Sequence, residues 1–457
     1  MYSSRDILVL ASLAAALPFC FFRPYYGILI WTIFAFVNPH RYAWGAARTF
    51  PVAETVAIAT LAGLVFFVRN WRPFFSKGVG LLILLWVWFT VTTIVATDTP
   101  IFMHHAQETW MQWEKVSKIL LMTLVLIGLV DDWKHFRIYV LTLAGSFGIL
   151  VLKLLPFMIL TGGSQRIYGP DGSMIADNND LGLALNMTLP IFFFLSRTED
   201  DRRMKWLMRF LFLATTAAII FTYSRGALVG LVVIGLLMFL RLKHRILLLP
   251  VIILVLVFGS LFTTQEWRDR MYGFTHGEID SSALGRINAW RFAAHLAEDY
   301  PITGGGFDTF TPELFQRYAP DPKDVHAAHS VYFGLLGEQG FVGLFLFLLL
   351  VVACFIRLQR IIWSARRWGD ETAADYASMF QFSLIGFLAS GAFLGRAYFD
   401  YFYSVVACSV ILWRLCESEW TTTMEDELVS ESDADGSLEL ESVSAADSGV
   451  MLEHQSK

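Results

Sequence analysis

Apolar runs recur along almost the whole chain, at 7–22, 25–37, 54–68, 79–96, 116–130, 136–160, 181–195, 207–222, 226–240, 246–262, 330–356, 377–394 and 399–416. Most approach the length of about 20 residues that carries a helix across a hydrocarbon core. Lipid offers no water to open backbone groups, so such runs must close their own hydrogen bonds as helices. Strict alternation of the barrel kind is absent. The pattern predicts an all-α polytopic membrane protein with about 12–13 transmembrane helices, the first two runs forming either two crossings or an incomplete hairpin at Arg23 and Pro24. A polar island at 264–329 separates two late runs and is the longest soluble stretch before the tail. No internal repeat and no inverted pair of interrupted helices is visible.

Composition agrees: 56% of the 457 residues are hydrophobic and 15% aromatic, more than a soluble core needs. The net charge of −5 hides an asymmetry. Segment 417–457 is rich in Ser, Asp and Glu and is expected to be a disordered tail; the body before it is basic. Loops alternate in basicity. One set carries Arg69, Arg72, Lys77, Lys134, Arg137, Arg202, Arg203, Lys205, Arg241, Arg366 and Arg367. Short Lys/Arg-rich loops stay in the cytoplasm, which places loops 97–115 and 161–180 and the island outside, and the tail inside. Basic loops without a basic domain give no nucleic-acid surface. Cys20, Cys354, Cys408 and Cys416 fall in or beside apolar runs and read as packed thiols. The first run reads as an uncleaved helix, because more apolar sequence follows it.

The chemistry gathers outside. Segment 283–296 has apolar residues at helical spacing around Arg286, Trp290 and Arg291. It reads either as a helix lying on lipid headgroups or as a phosphate clamp, since guanidinium bonds two oxygens at once and keeps its charge. Glycines at 304–306 reverse the backbone; no Lys-Ser/Thr follows, so this is no P-loop. His329 opens the next apolar run and is either an interfacial histidine or a base for a hydroxyl nucleophile. His326 and His329 lack a third metal ligand at sensible spacing. Arg225 sits in a tight outer turn against the inward bias of cations, as a snorkelling or a functional residue. In loop 165–180, Arg166 and Tyr168 are candidates for sugar contact, and Asn179 or Asp180 is expected to cap the next helix. Glu338 is a lone carboxylate within an apolar run.

The string from His329 through Tyr332, Glu338 and Gly340 resembles a signature of the O-antigen ligase and polymerase family. Arg286, Trp290, Pro301 and Gly304–Gly306 resemble its Arg…Trp…Pro-Gly pattern, and Ser224, Arg225 and Gly226 its Ser-Arg-Gly turn. Ser330 replaces the family's Asn after the histidine. Arg23 to Tyr26, Asn38 to Arg41, Trp44 and Gly45 resemble a subgroup that accompanies exosortase sorting systems and is regarded as O-glycosylation ligases. The resemblance implies a GT-C-like fold divided into an N-terminal membrane region (1–130), a ligase-like membrane domain (131–416) and the tail. It implies a bacterial inner-membrane enzyme that transfers a glycan from undecaprenyl diphosphate to a hydroxyl of protein, lipid or sugar. Transfer would be inverting, periplasmic and free of metal or other cofactor. Arg225 and Arg286 would grip the diphosphate, His329 would act as base, and Arg291, Arg166, Tyr168 and Glu338 would contact substrate. A repeat-unit polymerase is the alternative within this chemistry; a lipid-linked glycan flippase stands outside it.

Overall fold

The structure, a computed structural model, describes residues 4–241, 253 and 281–421. All regular structure among the described residues is helical. The expected run 246–262 and the start of the island lie outside them, residue 253 excepted. Met1–Leu412 forms one compact unit. A second, Trp413–Lys457, is described over 413–421, which is helical; most of the expected tail therefore falls outside the description.

The first unit begins with α1 (Ser4–Phe22), α2 (Pro24–Phe36), α3 (Ala46–Thr49), α4 (Val52–Phe67), α5 (Val79–Asp98), α6 (Ala106–Leu129) and α7 (Trp133–Leu160). It continues with α8 (Asn178–Thr198), α9 (Arg202–Phe221), α10 (Arg225–Arg241), α11 (Ser281–Asp299), α12 (Pro312–Tyr318), α13 (Val331–Arg367) and α14 (Glu371–Gly391). Residues 400–412 are also helical. Among the described residues six helices, α1, α5, α7, α8, α9 and α13, are long and apolar enough to cross a membrane. The protein is thus a polytopic all-α membrane protein. α2, of 13 residues, spans only about 20 Å, short of a bilayer core.

Short polar residues start the helices where the cap rule places them. Asp132, Asp201, Thr311 and Asp370 each accept from a backbone N–H of the first turn. α8 corrects the expectation at its start: Asp177 is the cap, accepting from Asn179 N at 2.8 Å. Asp180 pairs instead with Arg396. Loop 97–115 is shorter than expected, because α6 is already helical from Ala106.

α8 is the centre of the bundle, buried on nearly every side against α9, α10 and α14. Gly182, Gly230 and Gly386 let these helices approach, since a Cβ on any of them would collide with a neighbour. Asn186 Nδ2 donates to Ala227 O (2.7 Å) and Ser390 Oγ (2.9 Å), hydrogen bonds that replace what lipid cannot offer. The cysteines are buried thiols, as expected.

Helix direction sorts the loops of this unit onto two ends. One end carries Arg137 against Glu199, Arg197 against Asp375, and Tyr25 donating to the His135 carbonyl. The other brings together segments 38–51, 99–105, 161–177, 222–224, 300–330 and 392–399, through contacts such as Arg48–Asp171 and Asn178–Thr222. This second end holds every candidate residue named above except Glu338, which lies two turns down α13.

Candidate functional site

α11 packs on protein rather than lying on lipid. Its apolar face (Ala289, Phe292, Ala293, Leu296) packs on Ala96, Phe102, Leu314, Phe315 and Tyr318. Phe292 stacks on Phe315 at 4.3 Å, and a fully buried ring contributes about 1.5–3 kcal/mol. The surface-helix expectation for 283–296 is corrected accordingly: the helix is present and longer, Ser281–Asp299, but the stripe is spent on protein. The polar edge of α11 grips the stretch before α13. Asn288 Nδ2 donates to the carbonyls of Asp321 (2.8 Å) and Asp324 (2.9 Å), and Trp290 Nε1 to that of Ala328 (2.7 Å). Trp290 also stacks on Phe333 at 4.9 Å. His329 is therefore held from both sides.

His329 adopts φ 43°, a left-handed conformation that a side chain resists and that the surrounding grip must impose. Its imidazole is half-buried and held below the usual histidine range, first by burial and then by the charge of Arg286. Arg396 and His326 push the same way, and Asp177 opposes them. Arg286, Arg396 and Asp177, from three distant segments, thus act on one imidazole. His326 Nε2 is engaged with Asp324 at 2.7 Å and packs over Gly285.

Segment 392–399 is the hub. A Cβ on Gly395 would lie 3.5 Å from His329 Cα, and a Cβ on Gly226 3.1 Å from Phe393 Cβ. The turn that bears Arg225 and the backbone of His329 therefore flank the same strap. Tyr223 precedes Arg225 at φ 55° and donates to the Gly163 carbonyl. Ile167 N donates to Phe221 O at 3.1 Å, which sets loop 161–177 beside this turn. Arg166 on that loop is half-buried and Tyr168 is 52% exposed. Arg291 lies exposed on α11.

Glu338 has a different setting. One carboxylate oxygen accepts from Tyr398 Oη (2.7 Å) and the other from Asp308 N (3.3 Å). Both bonds tie the strap and the glycine turn to α13. That helix breaks at Gly340 (φ 67°), and the turn closes the break: Gly305 N donates to Gly337 O (2.9 Å), Gly306 N to Glu338 O (2.9 Å), and Phe341 N to Pro301 O (2.8 Å). The glycines do more than reverse the chain; they satisfy an interrupted helix.

Two features escaped the sequence reading. Arg396 bonds Asp180 across 216 residues, its Nε is buried without a protein partner, and it acts on His329. Its signal was the one that drew attention to Arg225: a lone cation in a short loop at the end away from the basic loops. Lys115 lies within electrostatic reach of Arg396, Asp308 and Asp400.

Arg286 and Arg396 thus act on a histidine that stays neutral near pH 7, an arrangement able to hold an anion and accept a proton. Two family models match the chain: that described as O-Antigen ligase over residues 210–348, and a Family of unknown function (DUF5935) over residues 4–200. No curated protein matches it. The first model contains Arg225, Arg286, Arg291, His329 and Glu338, and supports glycosyl transfer of the O-antigen ligase or polymerase kind in general.

Proposed function

We propose that this protein is an inner-membrane glycosyltransferase that moves a glycan from undecaprenyl diphosphate to a hydroxyl acceptor at the periplasmic face. The observation that carries the reading is the placement of His329 against Gly395, with the Arg225 turn on the other flank of the same strap; burial first, and Arg286 after it, keep the imidazole below its ordinary range. Neutral His329 takes the proton from the attacking hydroxyl as its oxygen bonds the anomeric carbon. The bond from that carbon to the diphosphate breaks, and undecaprenyl diphosphate leaves with the electron pair. Arg225 and Arg286 neutralise the charge that develops on it, a role for which no metal is needed. A single displacement inverts the anomeric centre. Arg291, Arg166 and Tyr168 line the approach for the saccharide, and Glu338 acts by fixing the strap. The likeness of 23–45 to the exosortase-associated subgroup favours a protein hydroxyl as acceptor.

The test is transfer by the purified chain from a lipid-linked saccharide to a hydroxyl acceptor, with no ion gradient. Arg225→Ala, Arg286→Ala and His329→Ala are each expected to lose about 100-fold or more while still inserting. Full transfer by His329→Ala would remove the base assignment. Absence of transfer by the wild-type chain favours a carrier instead. In a deletion strain, lost attachment with accumulating lipid-linked glycan marks a ligase, and a lost length ladder marks a polymerase.

A further inference from the structure

Residues 38–51 link α2 to α4 at the site-bearing end, within the region matched by the family of unknown function. Four cations from three segments gather there. Arg41 lies over Gly172 at the tip of the loop that carries Arg166 and Tyr168. Arg48 pairs with Asp171 of the same loop. Arg5, from the start of α1, donates to the Tyr42 carbonyl at 3.3 Å and lies 4.9 Å from the centre of the Trp44 ring. Lys153, near the end of α7, sits over the face of Tyr42 and is repelled by Arg5.

Two acids lie among these cations. Asp171 is engaged with Arg48, and Asp6 is buried, accepting from Gly45 N and Ala47 N at 3.1 Å each. Cations gathered at the end opposite the basic loops run against the usual bias, so ordinary topology does not account for them. Two withdrawn atoms point to a ligand as well. His40 is 8% exposed and its Nδ1 has no hydrogen-bond partner in the protein; nor has the buried Nε of Arg41. Asn38 holds the loop in place with a left-handed φ of 52°. Trp44, 76% exposed, and Tyr168 offer aromatic faces at the rim.

Fixed cations beside exposed aromatic faces suit carboxylates on sugar rings, the charge taken by guanidinium and ammonium and the ring face by Trp or Tyr. A phospholipid headgroup would meet perimeter cations but not the buried His40 or Arg41, which rests on Gly172 of the 161–177 loop. We propose that this N-terminal loop is a subsite for an acidic saccharide and holds the outer sugars of the transferred glycan. The inference rests on the glycosyl-transfer reading above.

The experiment is binding by the purified full-length chain of trigalacturonic acid, with maltotriose as the neutral control and a short-chain phosphatidylglycerol as the lipid control. The acidic trisaccharide is expected to bind in a salt-sensitive way, maltotriose not to bind, and Arg41→Gln/Lys153→Gln to weaken binding about tenfold. Lys153→Glu, a charge reversal at an exposed position, gives the same loss should the double variant misfold. Arg286→Ala, which abolishes transfer on the reading above, is expected to bind the trisaccharide like wild type, so the two proposals fail separately. Unchanged binding by both N-terminal variants, equal binding of maltotriose, or displacement by phosphatidylglycerol alone overturns the subsite.

Discussion

At the scale of single residues, the proposed function depends on the protonation of His329. Its folded pKa lies below the ordinary 6.5, so the neutral form prevails at pH 7 and is lost as pH falls through the lowered value. The acid limb of kcat/KM is expected below pH 6.5. Arg286→Gln removes a charge that depresses this imidazole, and its titration, followed by NMR of labelled histidine, is expected to move up. Asp177→Asn removes the opposing charge and moves it down. No movement in either variant would mean that these charges do not reach the ring. Arg396 and Asp180 form the second residue-level unit. A double-mutant cycle with Arg396→Gln and Asp180→Asn, read by thermal unfolding, is expected to show a coupling of about 0.5–3 kcal/mol. Additive effects would remove the pair as an organising contact. His329 and Arg286 stood out as candidates because imidazole and guanidinium carry distinctive chemistry wherever they occur. Arg396 did not, since one charge between apolar runs gives no sign of what it faces.

At the scale of elements, the decisive feature is the break in α13. Gly340 has φ 67°, and its open side is filled by the carbonyls of Pro301 and Ile302. Alanine there would face a left-handed backbone and a steric collision at once. Gly340→Ala is expected to destabilise the protein by about 2 kcal/mol or more and to depress transfer, because the strap and the 300–308 turn lose their anchor. A wild-type melting temperature would show that the interruption tolerates a side chain. The sequence reading found the helix and the glycine turn but not their union. A glycine in an apolar run looks like helix interior, and only the turn's N–H groups against α13 carbonyls reveal that the run is interrupted. α11 is the converse: its spacing announced a helix, yet whether its apolar stripe met lipid or protein depended on α12 and α5.

At the scale of the molecule, the site-bearing end and the basic end should face opposite sides of a membrane. Single cysteines at Tyr168 and at Ile302, both well exposed, are expected to react with an impermeant maleimide from the periplasmic side. A cysteine at Arg366 should react only after the inner membrane is opened. Labelling of all three from one side would contradict the bundle's order. The sequence by itself determined the helices, the alternation of basic loops and the end at which the candidate residues gather, because hydropathy, periodicity and local charge are properties of short segments. Only the tertiary structure decided which side chains meet. Arg396 reaches Asp180, Glu338 reaches Tyr398, and Arg41 rests on Gly172. Such meetings arise where helices far apart in the chain pack side by side, and no local pattern encodes which helix becomes whose neighbour.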